Sequence, residues 1–208
     1  MSSRRFPGKV LAPFRGRPLI WHVVTAVGRA LPEVPAVVLT SEEPSDDPLV
    51  EYLRSLRVAV FRGPLEDVFE RFRLCAAAHP CNWILRLCAD SPVLDARVLQ
   101  AVASRADGTE CDLVTTIFPR TFPKGQNAEL IRVTTLLGID VAELDPEDRE
   151  HVTPFFYRNA DRFRIMSVES GDSAMAVESL AVDTVEDLRR LETETRLSSY
   201  DTLRSTVR

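Results

Sequence analysis

A-V-V-L-T-S-E-E-P-S-D-D-P-L-V-E-Y-L-R-S-L-R-V-A-V-F, residues 36–61, decides the fold class. An apolar run at 36–40 leads into an acidic, proline-bearing turn. Apolar side chains then recur at helical spacing over 48–56, and a second apolar run follows at 58–61. Runs that are apolar at every position, not at alternate ones, are buried on both faces, and strand–helix–strand order of this kind builds parallel sheet. The same rhythm extends outward. Strands are expected at 83–88, 113–116, 164–168 and 180–182, and helices at 19–30, 65–78, 96–103, 150–159 and 185–197. The sequence therefore predicts an α/β fold with a mostly parallel sheet flanked by helices. It opens on S-S-R-R-F-P-G-K, where an α/β chain normally has its first strand. Either the sheet lacks that strand or the strand lies upstream of residue 1.

Composition narrows the classes. The chain has 208 residues, 45% of them hydrophobic and 27% charged, with a net charge of -5. That is globular, and it argues against a general nucleic-acid binder, which carries a basic surface. No apolar run approaches the ~18 residues of a membrane span. The four cysteines, Cys75, Cys81, Cys88 and Cys111, form no C-x-x-C pair and lie in apolar or helical stretches. Buried, reduced thiols in a cytoplasmic protein are the expectation.

Of the 26 basic residues only Lys9 and Lys124 are lysine. Coding bias toward arginine accounts for the skew, yet positions that keep a compact ammonium are the first to inspect. Lys9 ends the opening loop; Lys124 sits in 118–129, the longest stretch without a period, and long loops in compact domains are often functional.

In open α/β sheets ligands bind beyond the carboxyl ends of strands. Asp90 follows the expected strand 83–88, and Asp183 follows 180–182. Taken singly, Asp90 could cap the turn before Pro92, and Asp183 or Thr184 the last helix. As a pair they suit Mg²⁺, which takes one or two protein carboxylates and completes its shell with water and phosphate oxygens. Arg4, Arg5, Gly8 and Lys9 supply a positive loop that could face an anion. Loop, acids and sheet together suggest phosphoryl or nucleotidyl transfer, although the Walker pattern is absent. His151 has two readings, a group that binds the acceptor or moves a proton, or a locally bonded histidine at a helix start.

The chain resembles the sugar-activating cytidylyltransferases, the group of the CMP-sialate and CMP-Kdo synthetases, and within it the spore-coat polysaccharide protein F-like branch. The resemblance rests on S-S-R-R-F-P-G-K-V-L with G-R-P-L-I (2–20), V-V-L-T-S-E-E-P-S-D-D-P-L (37–49), F-R-G-P-L-E-D-V-F-E-R-F (61–72), L-R-L-C-A-D-S-P-V-L-D (85–95), F-P-K-G-Q-N-A-E-L-I (122–131), R-E-H-V-T-P-F (149–155) and V-D-T-V-E-D-L (182–188). It implies a Rossmann-like nucleotidyltransferase domain over 1–208, with an acceptor and dimer subregion near 118–165. Arg5 and Lys9 would contact phosphates, with Gly8 allowing close approach. Thr40 and Ser41 would border base and ribose, and Arg62 and Asp67 would shape the nucleotide pocket. Asp90 and Asp183 would hold Mg²⁺. Lys124, Gly125, Glu129, Arg149, Glu150 and His151 would form the acceptor pocket. The implied reaction moves CMP from CTP to a sugar acid or related acceptor with release of pyrophosphate, in a homodimer serving polysaccharide biosynthesis. A glycosyltransferase would need Asp-x-Asp where this chain has Ala89-Asp90-Ser91-Pro92. A catalytically degenerate nucleotide-binding paralogue is the other alternative.

Overall fold

The computed structural model describes residue 3 and residues 5–108 and 110–194. A tight hairpin, β1 (Pro13–Phe14) and β2 (Arg17–Pro18), leads into α1 (Leu19–Ala30). Then come β3 (Val37–Ser41), α2 (Asp47–Ser55), β4 (Ala59–Gly63), α3 (Val68–Ala78), β5 (Trp83–Leu87), α4 (Ala96–Ala103), β6 (Leu113–Thr115), β7 (Ala128–Arg132) and α5 (Val133–Gly138). The chain continues through α6 (Pro146–His151), α7 (Pro154–Arg158), β8 (Ile165–Ser167) and α8 (Val185–Thr193).

The α/β expectation holds, and β3 and β4 pair in parallel through α2, as the 36–61 stretch implies. The main sheet runs β5-β7-β6-β8, and its pairing is mixed: β6 and β8 are parallel, but β7 is antiparallel to both its neighbours. No described strand joins this sheet to the β3–β4 pair.

β6 and β7 explain why apolar runs without alternation are found here. Val114 and Leu130 face a core with Ile20, Val23, Val98, Leu99 and Val102 from α1 and α4. Their chain neighbours Leu113 and Ile131 point the other way, into a second core with Phe69, Leu136, Phe155 and Phe156. A sheet with helices on both faces needs apolar side chains at both parities.

Three expectations need correction. The 180–182 run is not a strand: its backbone bonds singly, Leu180 N–H to Lys124 O and Val182 N–H to Asp90 O, while its side chains are buried. The 150–159 helix is two short helices broken at Val152, whose φ of 71° no helix accommodates, with Pro154 opening the next. Cys81 is exposed rather than buried, although all four cysteines are free thiols. Part of the 185–197 helix, and Arg4 in the opening loop, lie outside the described residues.

A third cluster positions the site. Phe14, Leu19, Leu180, Val182, Leu188 and Leu191 are buried together, with Phe6, Ala12 and Val93 against them. Each such side chain contributes on the order of 2 kcal/mol when fully buried, more than the ~1 kcal/mol of a solvent-touched ion pair. Packing therefore brings the opening loop beside the 180–183 segment, and charge refines the placement. Among the described residues, no helix is long and apolar enough to cross a membrane.

Candidate functional site

Gly8 adopts a left-handed φ of 71°, which lets the chain turn into a short 3₁₀ segment, Lys9–Leu11, just after the Phe6 anchor. This turn sends the Lys9 side chain to the carboxyl end of β5. Its ammonium donates to Asp90 Oδ2 at 2.8 Å and to the Val182 carbonyl at 3.1 Å, and lies 3.5 Å from Asp183 Oδ1. Arg5 reaches Asp183 Oδ1 at 3.0 Å, and Lys124 donates to Asp183 Oδ2 at 2.6 Å. Both lysines of the chain thus converge on one aspartate.

Each acid is held for a local reason. Thr184, not Asp183, caps α8: its hydroxyl accepts from the Asp187 N–H, and the Asp187 carboxylate accepts in return from the Thr184 N–H. That leaves the Asp183 carboxylate available to cations. Burial alone would raise its pKa, but Lys124, Lys9 and Arg5 outweigh burial and hold it below the usual aspartate value. The Asp90 carbonyl accepts from Val182 N–H at 2.8 Å, so the backbones carrying the two acids are bonded to one another.

The loop bearing Lys124 is fastened at three points. Lys124 N–H donates to Glu178 O at 3.0 Å, and Leu180 N–H to Lys124 O at 2.6 Å. Gln126, almost fully buried, accepts from Asp95 N–H at 2.9 Å and donates to Val93 O at 2.7 Å. Gly125, at φ 98°, lies so close to the 180–181 backbone that a β-carbon there would meet the Leu180 carbonyl carbon at 2.6 Å. Gln126 is a residue that sequence reasoning missed; it follows Gly125 in a G-Q-N run, and nothing in that run marks which amide is buried.

The donor set fits a hard divalent ion. One ammonium touches both carboxylates, so a single cation can reach both Asp90 and Asp183. Oxygen ligands suit Mg²⁺, and no group of three His, Cys, Asp or Glu side chains arranged for a metal occurs among the described residues. Phosphate oxygens and water would complete such a shell.

The other predicted residues fall in separate groups. Thr40 and Ser41 are buried, and both hydroxyls, with the Ser41 N–H, bond to Asp46 Oδ2 at 2.6, 2.6 and 2.9 Å. Burial of Asp46 acts to raise its pKa, and the hydrogen bonds more than reverse this. Arg62 clamps the same turn through Ser41 O, Glu43 O and Asp47. Asp67 caps α3 at Glu70 N–H and pairs with Arg149 at 2.6 Å, joining α3 to α6. Glu129, only 1% exposed, sits opposite Arg86 in the β5–β7 ladder and pairs with it, while the Tyr157 hydroxyl donates to its other oxygen at 2.5 Å. Burial and the neighbouring Glu129 push the Tyr157 hydroxyl pKa up, so it stays a donor. Arg86 and Tyr157 are the partners that sequence reasoning left out of the site. Glu150 and His151 are exposed, and His151 ends α6, so the helix-start reading of this histidine is corrected.

Comparison with known proteins points one way. The family model for Cytidylyltransferase matches residues 1–203. The chain is 28% identical over 193 residues to the spore coat polysaccharide biosynthesis protein SpsF of Bacillus subtilis (strain 168), covering 90% of this chain and 79% of that protein. A cytidylyltransferase structure from Leptospira borgpetersenii serovar Hardjo-bovis (strain JB197) superposes with a TM-score of 0.86 at 28% identity, covering 92% of this chain and 81% of that one. A CMP:2-keto-3-deoxy-manno-octonic acid synthetase complexed with CTP shares the fold, with a TM-score of 0.69 at 16% identity over 96% of this chain and 95% of that one.

Proposed function

Because the chain belongs to the cytidylyltransferase family, we propose that it transfers CMP from CTP to the hydroxyl of a sugar acid or related acceptor, releasing pyrophosphate. The observation that carries this reading is the convergence of Arg5, Lys9 and Lys124 on Asp90 and Asp183 beyond the end of β5. SpsF is named for spore coat polysaccharide biosynthesis, and an activated sugar for a polysaccharide is the product class this reading supplies.

Arg5 and Lys9 would bind the triphosphate and neutralise charge gathering on the departing pyrophosphate, the place where positioned cations contribute most. Gly8 would leave room for a phosphate to approach the backbone. Asp90 and Asp183 would hold Mg²⁺, which when bound supplies charge neutralisation at the α-phosphate and lowers the pKa of the attacking hydroxyl. Lys124 would orient the acceptor, with Gly125 keeping its loop against 180–181. The exposed Glu150 and His151 would reach the acceptor from α6, and the Asp67–Arg149 pair would fix that helix. The Arg86–Glu129–Tyr157 group acts as support beneath the site rather than as a ligand, and Thr40, Ser41 and Arg62 shape the turn after β3. A homodimer through 118–165 and a cytoplasmic location complete the reading; Phe118, Leu137 and Val141, exposed apolar side chains of that stretch, support the first, and four free thiols the second.

The test is pyrophosphate release on mixing the protein with CTP, Mg²⁺ and a panel of sugar acids. Release that depends on one acceptor and on CTP is expected; CTP binding without release for every acceptor would establish a nucleotide-binding protein without transferase activity.

A further inference from the structure

We infer that Lys124 and Lys9 occupy the metal-binding oxygens of the free protein as ammonium counter-ions, so that the divalent ion enters with the nucleotide and not before it. The inference rests on the proposed function and concerns the order in which its site is filled.

Among the described residues, three cations, Arg5, Lys9 and Lys124, face two carboxylates, leaving one surplus positive charge in the cluster. Both Asp183 oxygens are engaged, Oδ1 by Arg5 at 3.0 Å and Lys9 at 3.5 Å, Oδ2 by Lys124 at 2.6 Å; Asp90 Oδ2 holds Lys9 at 2.8 Å. A bare divalent ion approaching these oxygens meets net repulsion and must displace ammonium groups already in contact. A triphosphate removes both obstacles: its negative charges draw Arg5 and Lys9 onto phosphate oxygens, reverse the local surplus of positive charge so that Lys124 can leave Asp183 for the acceptor side, and bring the ion's remaining ligands.

The two lysines are unequal in this. The Lys9 side chain is only 16% exposed and is also tied to the Val182 carbonyl. Lys124 is 51% exposed, and its backbone is fixed by Glu178, Leu180 and the close approach of Gly125, so only its flexible stem has to move. Of the two lysines, Lys124 is therefore the one whose charge can be removed with less disturbance.

Mn²⁺ binding read by the free-ion EPR signal tests this with wild type, Lys124→Gln and Lys124→Arg, each with and without CTP. Without nucleotide, Lys124→Gln should bind Mn²⁺ roughly fivefold tighter than wild type, the worth of one partly exposed ion pair. Lys124→Arg should stay as weak as wild type, and Asp183→Asn combined with Lys124→Gln should lose the gain. With CTP, wild type and Lys124→Gln should converge. Equal nucleotide-free affinity in wild type and Lys124→Gln, or a gain in Lys124→Arg equal to that in Lys124→Gln, overturns the inference. Pyrophosphate release is read separately. Release by a wild type whose Mn²⁺ affinity matches that of Lys124→Gln sinks the inference and leaves the proposed function standing. A Lys124→Gln gain in Mn²⁺ affinity, together with no release by wild type from any acceptor, upholds the ammonium hold on Asp183 and sinks the proposed function.

Discussion

Gly125 and Ala181 are in backbone contact: a β-carbon on residue 125 would stand 2.7 Å from the Ala181 nitrogen, closer than real β-carbons approach. The φ of 98° at Gly125 is also one that other residues adopt only under strain. Gly125→Ala should therefore push the Lys124 loop off the segment that leads to Asp183. The expected result is a loss of about 1–3 kcal/mol of stability from the backbone alone, with turnover down about 10²-fold from misplacement. Thermal unfolding and pyrophosphate release check the two effects together.

Lys9 and Asp90 are the chain's most direct tests of transferase chemistry. Lys9→Ala and Asp90→Asn should each lower turnover with CTP by about 10²–10³. Circular dichroism should show an intact fold, because packing around Phe14, Leu19 and Val182 carries the local structure. Near-normal turnover in both variants would remove these residues from the mechanism.

Asp183 makes stability depend on pH in a definite sense. Its folded pKa lies below the unfolded value near ~3.9, so its stabilising contribution is present above that pH and lost as pH falls through the lowered folded value. Wild type should be more stable than Asp183→Asn near neutrality, and the two melting curves should converge as the pH falls below about 4. Parallel curves across that range would show that the carboxylate contributes nothing to folding.

Glu129 is a support whose removal should act on stability first. Glu129→Ala leaves the mostly buried Arg86 guanidinium without its carboxylate and the Tyr157 hydroxyl with Thr115 as its remaining partner, a change that costs about 3–5 kcal/mol. The double variant Arg86→Met with Glu129→Leu, which removes the charges together, should recover most of that loss. Chemical denaturation of the single and double variants measures the difference.

Much of this was readable from residue types and spacing, and the reasons for the misses are physical. The 36–61 stretch announces its strand–helix–strand unit because burial on both faces leaves an uninterrupted apolar run. Lys9 and Lys124 stood out by chemistry alone, and they meet at one aspartate although 115 positions separate them in the chain. β7 was hidden because A-E-L-I-R carries a carboxylate mid-run, and nothing local shows that its partner is Arg86 on another strand. The run at 180–182 is apolar because it is wedged between the hairpin and α8, an environment that sequence cannot tell from a strand. Thr40 and Ser41 carry the right groups for a ribose, yet those groups are spent on Asp46 a few residues later.

Arg86 and Glu129 stand directly opposite one another, with Leu87 facing Ala128 and Leu85 facing Leu130 on either side. Were β5 to slide along β7 by a single residue, every side chain of β5 would change face, and Arg86 and Glu129 would each be left without its partner. Only one alignment of these strands pairs them, so a slipped sheet is disfavoured. Asp90 lies three residues beyond the end of β5, so that alignment also decides how far that carboxylate projects from the sheet.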